Sequence, residues 1–114
     1  MNANEIEING ETYVKQTDRV SGDYVVVRTY SAGVHAGHLK KREGKEVTLT
    51  NTRRLWHWRG AATLSQVAGS GITDPKGCKF PAAIAEITLT EAIEVIPCTE
   101  KAESILKGVA EWVQ

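Results

Sequence analysis

Apolar and polar positions alternate over much of this chain, and the alternation predicts strands. Ile6 and Ile8 alternate with Glu5 and Glu7, and Thr12 to Val14 returns after Asn9-Gly10. Those two residues supply the conformations a tight hairpin turn requires, so Glu5 to Val14 reads as a hairpin. The polar stretch Gln16 to Asp23 then sets residues 1–23 apart as an N-terminal appendage of a single domain covering 1–114. Tyr24 to Tyr30 carries Val25-Val26-Val27 with no polar alternate, a strand covered on both faces. His38 to Lys41 and Val47 to Leu49 form the arms of a second hairpin around Arg42-Glu43-Gly44-Lys45, whose charged tip reads as solvated.

Ile87 and Leu89 point inward from a strand over Ile84 to Leu89, with Glu86 and Thr88 outward. A turn at Glu91-Ala92 leads to Ile93–Ile96, and Pro97 is expected to end the pairing. The period changes in two places. Ala61 to Ala68 places Leu64, Val67 and Ala68 on one side of a short helix that Gly69 and Gly71 stop. Thr99 is an N-cap before Glu100, and Ala102, Ile105, Leu106, Val109 and Val113 recur at helical spacing. Gly108 weakens the far end of that helix. The predicted fold class is α+β: a small antiparallel β body with one short internal helix and a C-terminal helix.

Lys+Arg and Asp+Glu both number 14, which argues against a general polyanion binder and makes any anion site a matter of local clustering. Cys78 and Cys98 are isolated, and Met1 to Glu11 is polar and acidic with no secretory pattern. Free thiols and a cytoplasmic setting without membrane attachment are therefore expected. His35 and His38 fall on opposite faces of a strand, and no cysteine or carboxylate pattern completes a metal site, so no metal is assigned. No nucleophile elbow or acid–base pair is evident from spacing, and a non-enzyme is favoured.

Thr52 to Gly60 concentrates the chemistry. In an extended segment Arg54, Trp56 and Trp58 share one face, and Arg53, Leu55, His57 and Arg59 share the other. The first set suits a base stacked beside a phosphate; it reads equally well as a packed strand or subunit contact with solvated arginines. Arg28, directly after the valine run, needs a fixed anion, either an internal carboxylate or a ligand phosphate. The Gly69 to Pro81 loop ends on Lys79-Phe80-Pro81, either a binding element or an anchor pinning the loop to the body.

The run Tyr24-Val-Val-Val-Arg-Thr-Tyr-Ser-Ala-Gly-Val resembles the type-one Thoeris anti-defence family of small phage and prophage proteins. Gly44-Lys-Glu-Val, Arg53-Arg-Leu-Trp-His-Trp-Arg-Gly-Ala and Leu89-Thr-Glu-Ala-Ile-Glu-Val-Ile-Pro-Cys-Thr extend the resemblance over most of the chain after Tyr24. It implies a sponge in the infected bacterial host cell for cyclic ADP-ribose isomers made by TIR-domain enzymes. It further implies sequestration without cleavage or cofactor, binding of cyclic oligonucleotides as well, and a homo-oligomer with pockets at subunit contacts. Such a ligand carries a pyrophosphate, two riboses and an adenine. Arg28, Arg53, Arg54 and Arg59 are the phosphate candidates; Tyr30, Trp56, Trp58 and Phe80 the stacking candidates; Lys79 a supplementary cation. Arg28 is the first choice among them, because a buried strand would hold it rigidly, and the long loop is a candidate lid. The alternatives are a single-stranded nucleic-acid-binding module on the same Arg/Trp strand and a small nucleotide hydrolase.

Overall fold

The computed structural model describes residues 5–8, 11–14 and 20–113, the hairpin turn at Asn9-Gly10 lying outside them. Strands β1 (Glu5–Ile8) and β2 (Glu11–Val14) pair antiparallel as a two-stranded unit. Five further strands make the body: β3 (Val20–Thr29), β4 (Val34–Glu43), β5 (Glu46–Arg54), β6 (Ile84–Leu89) and β7 (Ala92–Thr99). They form one antiparallel sheet in the order β6-β5-β4-β3-β7. Helix α1 (Leu64–Ser70) is the short internal helix, and α2 (Glu100–Gly108) follows the last strand. The α+β class expected from the alternation is the observed one.

β6 and β7 lie at opposite edges, yet only Thr90 and Glu91 join them. A link that short brings the edges together, so the sheet curls over on itself. The Ala92 N–H donates to the carbonyl of Lys45 at 3.0 Å where this happens. The curl explains the valine run. Val25 and Val27 face a core enclosed by the sheet, with Val47, Leu49 and Leu89. Val26 faces the other way, into a core shared with Tyr24, Leu55, Phe80 and the helix residues Val67, Ala102 and Leu106. One strand thus serves two cores, and both faces need apolar residues.

A bulge shapes the centre of the sheet. His38 pairs with Thr50 and Ala36 with Arg53, so Gly37 alone opposes both Asn51 and Thr52. Asn51 takes φ 45°, the left-handed region that asparagine tolerates better than most residues. A Cβ on Gly37 would sit 2.6 Å from the Cβ of Thr52, so the crossing requires glycine. The bulge re-aims Arg53 and Arg54 relative to the strand before them.

α2 begins where its cap predicts: Thr99 Oγ1 accepts the Ala102 N–H at 3.1 Å. It ends at Gly108, short of Val113, so the apolar spacing overstates its length. α1 runs two residues past Ala68 and takes in Gly69. β7 continues through Pro97 to Thr99, against the expectation that proline ends the pairing. β7 is an edge strand, where a residue lacking an N–H is tolerated. Among the described residues, no helix is long and apolar enough to cross a membrane.

Candidate functional site

The Arg/Trp segment keeps its alternation as far as Trp56. Arg53 and Leu55 are buried, whereas Arg54 is exposed and Trp56 is 63% exposed on the opposite side. The Leu55 N–H still bonds to the Val34 carbonyl at 2.9 Å, but the next pairing is between His57 and Lys79. That switch of partner turns the chain. Trp58 is half-buried against the helix-side core instead of standing beside Trp56.

The two neighbouring arginines have separate tasks. Arg53 donates from Nε to the Pro81 carbonyl at 3.2 Å and from Nη2 to that of Phe80 at 2.9 Å. Its Nη1 donates to the carbonyls of Leu106 at 3.3 Å and Val109 at 2.8 Å, and the group lies 5.3 Å from the Phe80 ring. The end of a helix is an electronegative place for a cation. Arg53 therefore ties the C-terminal end of α2 to the segment that leads into β6. Burial lowers its pKa, with Tyr24 and Glu111 acting the other way. Arg54 has no ion-pair partner among the described residues.

Arg54 borders a cleft of about 160 Å³, lined also by His35, Thr52, Arg53, Pro81, Ala82, Ile84 and Ile87. His35 is Arg54's register partner on β4 and pairs with Val27 on its other side, which places both side chains on the enclosed face of the sheet. Its Nε2 donates to the Ala32 carbonyl at 2.8 Å. Burial lowers the His35 pKa from the ordinary 6.5, the Ala32 contact opposes this, and Arg54 adds to the lowering. The ring is thus neutral at pH 7, with the proton on Nε2. A histidine with a depressed folded pKa stabilises the fold fully above its unfolded value near 6.5. That contribution is lost as pH falls through the lower folded value. Denaturation midpoints between pH 7.5 and 5 should fall, and His35→Gln should flatten the decline.

The other candidates are dispersed. Arg28 pairs with Glu94 at 3.0 Å across β3 and β7, so its fixed anion is an internal carboxylate. It shares the Tyr24/Val26 face, opposite to Arg54. Tyr30 is exposed in the turn after β3, and Arg59 pairs with Asp74 at 3.6 Å. Lys79 stands 5.5 Å from the Trp112 ring. Phe80 is fully buried and takes the anchoring role. Ile72 and Cys78 are buried beside it, and Thr73 bonds to the Gly60 carbonyl, so the 71–81 loop is pinned where a lid was expected. Cys78 and Cys98 are both free, and burial pushes the Cys98 thiol up to about 12. Among the described residues no cluster of three or more metal-ligating side chains occurs.

His35, Thr52, Ile84 and Ile87 were not legible as site residues. The available signal was a buried histidine one residue away from the small pair Ala36-Gly37, but its link to Arg54 depends on strand register.

Residues 22–106 match the family model described as Domain of unknown function (DUF6948). No curated protein and no solved structure shows a match.

Proposed function

The chain belongs to the DUF6948 family, whose description assigns no function, and we propose, from its resemblance to the Thoeris anti-defence family together with its own residues, that it captures a cyclic ADP-ribose isomer and holds it uncleaved. The observation that carries this reading is the pairing of an exposed guanidinium, Arg54, with an exposed indole, Trp56. They lie on one side of a segment whose alternate residues, Arg53 and Leu55, are buried. An exposed aromatic plane near a cation without an ion-pair partner among the described residues suits a nucleotide's base and pyrophosphate.

Size bears on the assembly. Pockets that enclose a drug-sized ligand span about 300–1,000 Å³, and this cleft offers about 160 Å³. One protomer encloses part of such a molecule, and a second copy packed against the exposed side chains of Arg54 and Ile84 at the cleft completes the enclosure. The resemblance to the Thoeris anti-defence sponges points to the same arrangement. Slow release follows, because affinity differences reside mostly in the off-rate.

The test is to incubate the protein with a panel of cyclic ADP-ribose isomers, remove it by filtration, heat it and chromatograph both fractions. An isomer depleted from the filtrate and recovered intact on heating is the expected result. Arg54→Ala should weaken capture about tenfold to a hundredfold, and Trp56→Ala by a similar factor. A converted ligand would make the protein an enzyme. No depletion, with steeply salt-dependent retention of single-stranded DNA instead, would replace the sponge with a nucleic-acid binder.

A further inference from the structure

We infer that the cleft beside Arg54 is a site for a small organic acid, whose carboxylate pairs with Arg54 and whose apolar group, about the size of a benzene ring, fills the space next to it. The inference goes beyond the capture reading and does not depend on it, because it draws only on the cleft and its lining.

Strand register fixes which side chains meet there. Thr52 and Arg54 are two positions apart on β5 and so share one face of the sheet. Thr52 is opposite Ile84 on β6, and Arg54 is opposite His35 on β4. Directly opposed residues lie on one face, and all four line the cleft. The path of the backbone thus puts Arg54 on the cleft's own face of the sheet. Its charge is felt at the His35 ring, where it adds to the lowering of the pKa.

The other polar side chains of the lining are already engaged. Thr52 Oγ1 donates to the Ala36 carbonyl at 2.8 Å, and His35 Nε2 donates to that of Ala32 at 2.8 Å. The Arg53 guanidinium is spent on carbonyls of the 80–81 segment and of the C-terminal end of α2. Arg54 has no ion pair and no side-chain hydrogen bond to another described residue. No aspartate or glutamate lines the cleft, so an entering anion is attracted there without an opposing charge.

Size and walls select the kind of anion. Pro81, Ala82, Ile84 and Ile87 give the cleft apolar walls. An apolar cavity of about 150 Å³ takes one benzene-sized ring, and this cleft offers about 160 Å³. A single guanidinium fork matches the two oxygens of one carboxylate. A cationic ligand is repelled by Arg54, and a neutral one leaves it unpaired. Acid and nucleotide draw on the same guanidinium, so each should displace the other.

The test titrates phenylacetate, its neutral counterpart 2-phenylethanol, and acetate into protein carrying labelled isoleucine methyls. Phenylacetate is expected to shift the Ile84 and Ile87 methyl signals saturably. It should bind about tenfold or more tightly than the alcohol, the worth of a charge-assisted hydrogen-bonded pair. It should exceed acetate by a similar factor, because acetate buries no ring. Arg54→Gln should reduce phenylacetate to the affinity of the alcohol, and Ala82→Trp should block both aromatic probes. Both substitutions are at exposed positions, and the methyl spectra of the unbound variants report their folding. Absence of saturable shifts at Ile84 and Ile87, equal affinity for acid and alcohol, or unchanged phenylacetate binding in folded Arg54→Gln overturns the acid site. The capture reading is judged separately, by nucleotide depletion, and its failure leaves the acid site standing.

Discussion

Replacing Arg53 by methionine should destabilise the protein by about 3 kcal/mol or more, since each buried acceptor left unsatisfied costs about 1–3 kcal/mol. The methionine preserves most of the buried stem but takes the Arg53 donor from the carbonyls of Pro81, Leu106 and Val109, while that of Phe80 keeps the Trp112 N–H. Three arguments make this a large effect. The carbonyls belong to segments far apart in sequence, so a local adjustment of one cannot satisfy the others. The site is 8% exposed, which limits rescue by water. Domain stabilities are only about 5–15 kcal/mol in total, so the variant should sit close to unfolding at room temperature. Urea denaturation reads the change as a lower midpoint at an unchanged slope. Arg53→Lys should fall between the two, since an ammonium supplies donors but not the planar fork. A loss below about 1 kcal/mol for the methionine variant would mean that those carbonyls find other donors.

Gly60→Ala should cost about 3 kcal/mol or more, combining backbone strain with overpacking. Gly60 adopts φ 89°, outside the conformations that alanine favours. Its new Cβ would lie 2.5 Å from Thr73 Oγ1 and 2.6 Å from the backbone nitrogens of Thr73 and Asp74. Retreat is restricted, because Thr73 donates to the Gly60 carbonyl through both its N–H and its hydroxyl, each at 3.2 Å. The damage should be concentrated in the 71–81 loop, measured as faster amide exchange at Thr73 and earlier proteolysis there. Gly69→Ala is the matched control. No atom lies within 4 Å of its Cβ position, and it sits in a helix, so alanine should be neutral or slightly stabilising. Equal behaviour of the two variants would sink the steric argument.

These residues also mark where sequence reasoning succeeds and where it stops. The valine run declared itself doubly covered because burial leaves a compositional trace on every position of a strand. Thr99 declared a helix start because capping is local. Arg53 declared nothing of its task. Alternation placed it with Leu55, but its four acceptors are 27 to 56 residues away, and no local pattern encodes them. The face assignment of Trp58 fails for a related reason: His57 leaves the sheet to pair with Lys79, a non-local choice. Arg28 was the most conspicuous cation in the sequence, and its carboxylate is supplied by β7. The less conspicuous Arg54 borders the cleft because a bulge at Gly37 sets its register against His35.

The curled sheet has a consequence for how the chain is made. β3 gains β4 as a neighbour almost as soon as it leaves the ribosome, since the two are adjacent in sequence. Its other neighbour, β7, begins at Ala92, about 70 residues after Tyr24. Until then Val25 and Val27 lack the partners that enclose them, and an apolar strand edge stays open to neighbouring chains. Pairings of such long sequence separation form slowly, on the scale of milliseconds to seconds for β-rich topologies. Translation of the intervening segment takes several seconds at about 5–20 residues per second. Synthesis, more than chain collapse, therefore sets how long the valine strand is exposed in the cell.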